Sequence, residues 1–170
     1  IVPGTRPLRS FAFPMMFLHV AHELEWLLPG TEFEAHTKRW MDDIATLFID
    51  RESGLVYENV SPDGSHPDTF EGRLINPGHG LEGMWFLMDA ALRRGDRALA
   101  NRAADSLLRI LEYSWDTEYG GIFGFLDARK RPSEKLGRLN KSALARKAGI
   151  ASGGSSPEKP MRPASPNSIA

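Results

Sequence analysis

The chain has 170 residues, and its 21 Lys or Arg and 22 Asp or Glu give a formal net charge of −1. It contains no cysteine, which excludes disulfide bonds and thiolate metal sites and agrees with the cytoplasmic location that we expect. Because no run of about 18 apolar residues occurs, we expect no membrane partner.

Four segments carry apolar residues at helical spacing. They are predicted to span residues 14–28, 32–48, 77–94 and 96–113. Pro29-Gly30 and Gly95, which follow the first and third segments, are typical helix stops. We therefore predict an all-α fold.

A similar loop follows the second and the fourth helix. The two loops are "DRESGLVYENVSPDG", from Asp50 to Gly64, and "DTEYGGIFGFLDARKRP", from Asp116 to Pro132. Each has Asp, three residues, Gly and a short β-prone run, and the two Asp residues are 66 positions apart. This pattern indicates a repeated unit, a helical hairpin with a short β-hairpin arm, which must stack on neighbours to cover its apolar stripes.

The composition of the chain changes at Arg129. Residues 129–170 contain ten Lys or Arg, two Asp or Glu and no aromatic residue. Such a segment cannot bury enough apolar surface to offset its ordering entropy. We therefore predict a folded domain at residues 1–128 and a disordered, basic, Ser/Pro/Gly-rich tail at residues 129–170. We expect no nucleic-acid partner, because no aromatic platform accompanies the charge.

The stretch "INPGHGLEG" places a titratable pair at a helix start. Asn76 is a good N-cap and Pro77 a good first helical residue, so His79 falls in the first turn, where the helix dipole favours the neutral imidazole that a general base needs. Glu82, three residues on, can share a face with His79 and orient its ring. The structural alternative is a capped helix whose histidine bonds a loop carbonyl and whose glycines allow close helix packing.

The histidines do not form a metal-binding pattern. His79 and Glu82 lack the second histidine of the zinc motif His-Glu-x-x-His, so we predict no metal site, and we expect no cofactor. His19 and His22 are interpreted as the partly exposed flank of the first helix.

Three motifs in family order identify a resemblance. "GRLINPGHGLEGMWFLMDAA", preceded by "GLVYENVSPDGS" and followed by "WDTEYGGIFGFLD", resembles the N-acylglucosamine 2-epimerase family, from about Phe13 to Asp127. That family contains sugar 2-epimerases and aldose–ketose isomerases built as (α/α)6 barrels. The resemblance implies a partial (α/α)6 toroid made of αα hairpins with short β-hairpin arms.

The resemblance also implies roles for individual residues. His79 matches the acid/base histidine of the family's Pro-Gly-His motif, and Glu82 matches the glutamate that accompanies it. Arg73 and Trp85 match recurrent motif positions, and we predict them to bind substrate. The implied partner is a small monosaccharide or amino sugar, and a homo-oligomer is left open.

Two departures from the family pattern concern the end of the chain. The family uses a second histidine far toward the C-terminus, and no histidine follows His79 here. The basic segment after Arg129 replaces the family's acidic, tryptophan-rich helix. We therefore expect this chain to be a fragment that is inactive alone.

The expected reaction is proton abstraction and return at sugar C2. Two other functions remain open: a non-catalytic helical binding module, and a glycoside hydrolase on a similar toroid. The hydrolase needs two opposed carboxyl groups. Its candidates are Glu58, Glu71, Glu82 and Asp127.

Overall fold

The computed structural model describes residues 7–30 and 32–130, and four α-helices make up most of that part. The helices are α1 (Ala12–Leu27), α2 (Phe33–Asp43), α3 (Pro77–Arg93) and α4 (Arg97–Ser114). Their bounds lie within two residues of the predicted ones, except at the end of α2. The predicted helical architecture is confirmed.

The predicted second helix does reach Phe48, but its last turn is not α-helical. After α2 the chain widens into a π-helical turn, Ile44–Phe48. The Ile49 N–H donates to the Ile44 carbonyl five residues earlier, at 3.3 Å. This wider turn places both Ile44 and Phe48 in the core, where neither is exposed to solvent.

Two short antiparallel sheets tie the loops to the helices. Strand β1 (Arg9–Ser10) pairs with β2 (Asn59–Val60). A 3-10 turn leads into β3 (Leu74–Ile75), which pairs with β4 (Leu126–Asp127). Each sheet therefore joins the residues before an αα pair to the loop that follows that pair.

The predicted repeat is present in the backbone hydrogen bonds. The bridge between Ile49 and Val56 recurs 66 residues later between Trp115 and Ile122. We call α1, α2 and the arm at residues 49–60 the first hairpin. The second hairpin comprises α3, α4 and the arm at residues 115–127. The two hairpins are thus two copies of one supersecondary unit.

The core lies where the two hairpins meet. Its largest fully buried apolar side chains are Phe11, Leu18, Ile44, Phe48, Val56, Val60, Ile75, Met84, Leu87 and Ile110. Gly83 allows α1 to approach α3, because a Cβ at this position would overlap the ring of Phe11 and press on Met15. Close helix packing therefore accounts for this glycine.

The predicted disordered tail at residues 129–170 lies outside the described residues, apart from Arg129 and Lys130. The Arg129 N–H donates to Asp127 Oδ1 at 2.8 Å. Its guanidinium lies 2.9 Å from Asp68 Oδ2. These contacts join Arg129, the first residue after the predicted boundary, to the second arm and to the loop between the two hairpins.

Candidate functional site

His79 lies in the first turn of α3, as predicted. Asn76 has an extended backbone, and its side-chain oxygen accepts a hydrogen bond from the His79 N–H at 3.4 Å. Pro77 occupies the first helical position, where its missing N–H costs nothing. The side chain of His79 is 38% exposed, so its ring can reach a ligand.

Glu58 is the partner of the His79 ring. Glu58 Oε2 lies 2.9 Å from His79 Nδ1, and the Glu58 side chain is only 12% exposed. The hydroxyl of Ser10 lies 3.4 Å from the other carboxylate oxygen. With Nδ1 engaged by a carboxylate, Nε2 is the ring nitrogen left for chemistry.

The backbone around Glu58 fixes the position of this carboxylate. The Glu58 N–H donates to the Leu74 carbonyl at 2.9 Å, and its own carbonyl accepts from the Phe11 N–H at 2.8 Å. Glu58 therefore joins the residue before α1 to strand β3, which leads into the helix of His79. The backbone hydrogen bonds of Glu58 therefore fix the carboxylate relative to the start of α3, where His79 lies.

The expectation that Glu82 orients the His79 ring is wrong, because Glu58 occupies that place. Glu82 is exposed on α3, one turn beyond His79. Sequence reasoning named Glu58 only as a hydrolase candidate. A signal was present, since Glu58 alternates with Val56 and Val60, both buried, so a strand pattern would have put its carboxylate on the buried side.

Arg73 is held by two carboxylates. Its Nε donates to Asp127 Oδ2 at 2.8 Å, and its Nη1 lies 2.5 Å from Asp68 Oδ1. Its side chain is 14% exposed, and that of Asp127 is 3% exposed. The Arg73 carbonyl also accepts from the Ala128 N–H. Arg73 therefore links β3 to β4 immediately before the helix of His79.

Trp85 lies beside a cleft between α1 and α3. Its side chain is more than half exposed, and the cleft has a volume of about 400 Å³. The cleft is lined by His19, His22, Glu23, Trp85, Phe86, Asp89 and Arg93. An exposed indole with charged groups beside it is a surface that a sugar ring can pack against.

The interpretation of His22 as part of a partly exposed helix flank is wrong. His22 is buried, and its Nε2 lies 3.1 Å from Asp89 Oδ2. The prediction failed because Asp89 lies on another helix, 67 residues away. His19 is partly exposed as predicted, and its ring stacks on Phe86 with 4.3 Å between centroids.

Within residues 7–30 and 32–130, no group of three or more His, Asp or Glu side chains is arranged to hold a metal ion. No helix in the same part of the chain combines the length and the apolar character needed to cross a membrane.

Comparison of the sequence with protein families matches residues 2–144 to the family N-acylglucosamine 2-epimerase (GlcNAc 2-epimerase). The N-acylglucosamine 2-epimerase of Rattus norvegicus is 38% identical over 132 residues, which cover 74% of this chain and 30% of that protein. The enzyme of the same name from Homo sapiens is 35% identical over 130 residues, covering 74% and 29%. The chain thus spans about 30% of the length of the curated relatives it matches.

Solved structures show the same fold. The cellobiose 2-epimerase of Spirochaeta thermophila superposes with a TM-score of 0.62 at 14% identity, covering 71% of this chain and 29% of that one. A sugar epimerase from a ruminal bacterium gives a TM-score of 0.63 at 20% identity, covering 76% and 32%. The partial α/α toroid is therefore confirmed, and the family match over most of the sequence shows that this chain belongs to the N-acylglucosamine 2-epimerase family.

Proposed function

We propose that this chain supplies one acid/base half of a sugar 2-epimerase site. The observation that carries the proposal is the pairing of His79 Nδ1 with the Glu58 carboxylate at 2.9 Å. A carboxylate at Nδ1 keeps the proton of neutral imidazole on that nitrogen, so that Nε2 can accept a proton. The same carboxylate stabilises the imidazolium that forms.

In the proposed reaction, His79 Nε2 removes the proton from C2 of an open-chain sugar. The electron pair moves into the C1 carbonyl and gives an enediolate, or a 2-acylamino enolate in an N-acylated amino sugar. Return of a proton to the opposite face of C2 gives the epimer. In a 2-hydroxy sugar, return of the proton to C1 with transfer of the O2 hydroxyl proton to O1 gives the ketose isomer. Since no histidine follows His79 in this chain, we assign it the first half of the reaction only.

The substrate class that we propose is a free monosaccharide or an N-acylated amino sugar, by analogy with the named relatives. Trp85 is the proposed apolar surface for the sugar ring, and Glu82, exposed between His79 and Trp85 on α3, is a proposed hydrogen-bond partner for its hydroxyl groups. Arg73 fits a positioning role better than direct substrate contact, because Asp127 and Asp68 already engage it.

The hydrolase alternative gains no support from the site. Two of its four candidate carboxylates are largely buried, and both are paired: Glu58 with His79 and Asp127 with Arg73. A glycosidase needs one protonated carboxylic acid and one carboxylate, both free to face the glycosidic bond.

Deuterium exchange at sugar C2 tests the proposal. The chain is incubated in D2O with N-acetylglucosamine, and loss of the C2 proton signal is followed by NMR. We expect exchange without accumulation of the 2-epimer, because the second base is missing. The variant His79→Asn should reduce the exchange rate by about 10² to 10⁴, the usual scale of general acid–base catalysis.

Two outcomes would contradict the proposal. Exchange that His79→Asn leaves unchanged would remove His79 from the chemistry. Sugar binding with no exchange above the buffer rate would favour the non-catalytic binding module. His36→Asn is the matched control, since His36 is exposed on α2, away from the His79–Glu58 pair.

A further inference from the structure

Ser10 lies beside the carboxylate that contacts His79. Its hydroxyl oxygen is 3.4 Å from Glu58 Oε1, whereas Glu58 Oε2 lies 2.9 Å from His79 Nδ1. The two oxygens of this carboxylate therefore have different partners, and Ser10 is the partner of the oxygen that the imidazole does not contact. Because the Glu58 side chain is only 12% exposed, it has little access to water, and its orientation depends on donors from the protein.

The contacts of Ser10 indicate the direction of its hydrogen bond to Glu58. The Ala12 N–H, at the start of α1, lies 3.4 Å from Ser10 Oγ, and an N–H can only donate. Ser10 Oγ therefore accepts from Ala12, and its own O–H remains available as a donor. An ionised carboxylate can only accept, so the Ser10 O–H donates to Glu58 Oε1. The hydroxyl thus connects the start of α1 to the carboxylate–imidazole pair.

The backbone on both sides of Ser10 is anchored. On one side, Arg9 Nη2 donates to Asp43 Oδ2 at the end of α2, at 2.6 Å. On the other side, the Phe11 N–H donates to the Glu58 carbonyl at 2.8 Å, and strand β1 itself pairs with β2. The Ser10 hydroxyl therefore has a fixed position relative to the backbone of Glu58, and it can hold the carboxylate in one orientation.

We propose that Ser10 is a positioning residue for His79. The inference rests on the proposed function, in which Nε2 of His79 accepts the C2 proton. When Oε1 is held by the Ser10 hydroxyl, Oε2 stays on Nδ1, so the neutral ring keeps its proton on Nδ1 and leaves Nε2 as the base. Without the hydroxyl, the carboxylate can rotate away from Nδ1. The ring can then adopt the Nε2–H form, which cannot accept a proton at Nε2.

Replacement of the hydroxyl tests this role. Ser10→Ala removes the donor, whereas Ser10→Thr keeps it on a side chain that suits a strand. Ser53→Ala is the matched control in the first arm. The Ser53 hydroxyl also lies against a carboxylate, that of Asp50 at 2.6 Å, and also accepts from the N–H two residues later, that of Leu55 at 3.2 Å.

Three measurements are made on each variant. Urea titration gives the free energy of unfolding, nitrogen NMR at constant pH gives the tautomer of the His79 ring, and NMR in D2O gives the exchange rate at C2 of N-acetylglucosamine. If Ser10→Ala does not fold, Ser10→Cys takes its place, because a thiol has a similar shape and is a weak donor. The same results are expected of it.

We expect Ser10→Ala to shift the His79 ring toward the Nε2–H form. Because both contacts of the hydroxyl are long, C2 exchange should slow by about two- to tenfold, the scale of one ordinary hydrogen bond. Ser10→Thr should restore the tautomer and the rate, and Ser53→Ala should change neither. A lower stability of Ser10→Ala with an unchanged imidazole spectrum would overturn the proposal and leave Ser10 as a cap of α1.

The tautomer and the exchange rate separate this inference from the proposed function. If Ser10→Ala changes the imidazole spectrum while wild type shows no C2 exchange, Ser10 does position the ring, but the proposed reaction is wrong. If His79→Asn slows exchange while Ser10→Ala leaves both the spectrum and the rate unchanged, the proposed reaction stands and the inference about Ser10 is wrong.

Discussion

Glu58 and His79 are 21 residues apart in sequence and meet through a 2.9 Å contact between a carboxylate oxygen and Nδ1. The contact spans two structural units, because Glu58 belongs to the first arm and His79 to the first turn of α3. The hydrogen bond from the Glu58 N–H to the Leu74 carbonyl thereby holds a positioning carboxylate beside the proposed base.

The substitution Glu58→Gln should change which ring nitrogen of neutral His79 carries the proton, without unfolding the chain. An amide cannot stabilise the imidazolium as a carboxylate does, so we expect C2 exchange to fall by about 10². Nitrogen NMR of the imidazole should show a changed balance between the Nδ1–H and Nε2–H forms. Glu82→Gln is the control and should leave the imidazole spectrum unchanged. A larger spectral change in Glu82→Gln would return the orienting role to Glu82.

The sequence predicts the helices better than the site for a physical reason. Helix periodicity, Asn76-Pro77 capping and the Gly95 stop are local signals, so α3 and α4 could be placed within a residue of their observed bounds. The pairing of Glu58 with His79 depends on the hydrogen bond that brings the first arm next to strand β3. No regular spacing of residues in the sequence predicts that contact. The burial of His22 depends in the same way on the packing of α3 beside α1.

Gly83→Ala should destabilise the fold through overpacking. A Cβ at Gly83 would overlap Phe11 and press on Met15 at the contact between α1 and α3. We expect a loss of about 1–3 kcal/mol in the free energy of unfolding, measured by urea titration. Gly78→Ala is the paired control: its Cβ would meet only the Asn76 side chain, at 3.5 Å, so stability should stay equal or rise slightly. Equal effects at both positions would show that helix propensity, and not packing, governs Gly83.

Arg73→Met should be more damaging than its position in a loop suggests. It removes the guanidinium from Asp127, a carboxylate whose side chain is only 3% exposed. A largely buried carboxylate that loses a charged partner is poorly solvated, so thermal or urea unfolding should show a clear loss of stability.

Arg129→Met provides the contrast for the Arg73 prediction. Arg129 and its partner Asp68 are both about half exposed, so loss of this pair should cost about 1 kcal/mol or less. If Arg73→Met were equally mild, the proposed role of Arg73 in holding β3 to β4 would be wrong. The double variant Arg73→Met with Asp127→Asn should recover part of the loss, because the buried negative charge that Arg73 offsets is then absent.

His66 should make the stability of the fold depend on pH. Its ring stacks on Tyr57 with 3.8 Å between centroids, and its Nδ1 is buried without a hydrogen-bond partner among the described residues. Burial lowers the pKa of His66 below its ordinary value of 6.5, while the charge of Asp50 acts in the opposite direction.

The sign of the effect follows from proton binding. Because His66 has a lower pKa in the folded chain than in the unfolded chain, the unfolded chain binds more protons as the pH falls through 6.5. The free energy of unfolding should therefore decrease as the pH falls through 6.5, and the His66 contribution should become constant below the lowered folded pKa.

His66→Phe keeps an aromatic ring on Tyr57 and removes the titration. Urea titrations at pH about 7.5 and about 5 should thus show a smaller loss for His66→Phe than for wild type. The control is His36→Phe, at an exposed position on α2, and its free energy of unfolding should fall between the two pH values by as much as that of wild type. If the free energy of unfolding of wild type falls no more than that of His66→Phe, the burial of His66 has no energetic consequence.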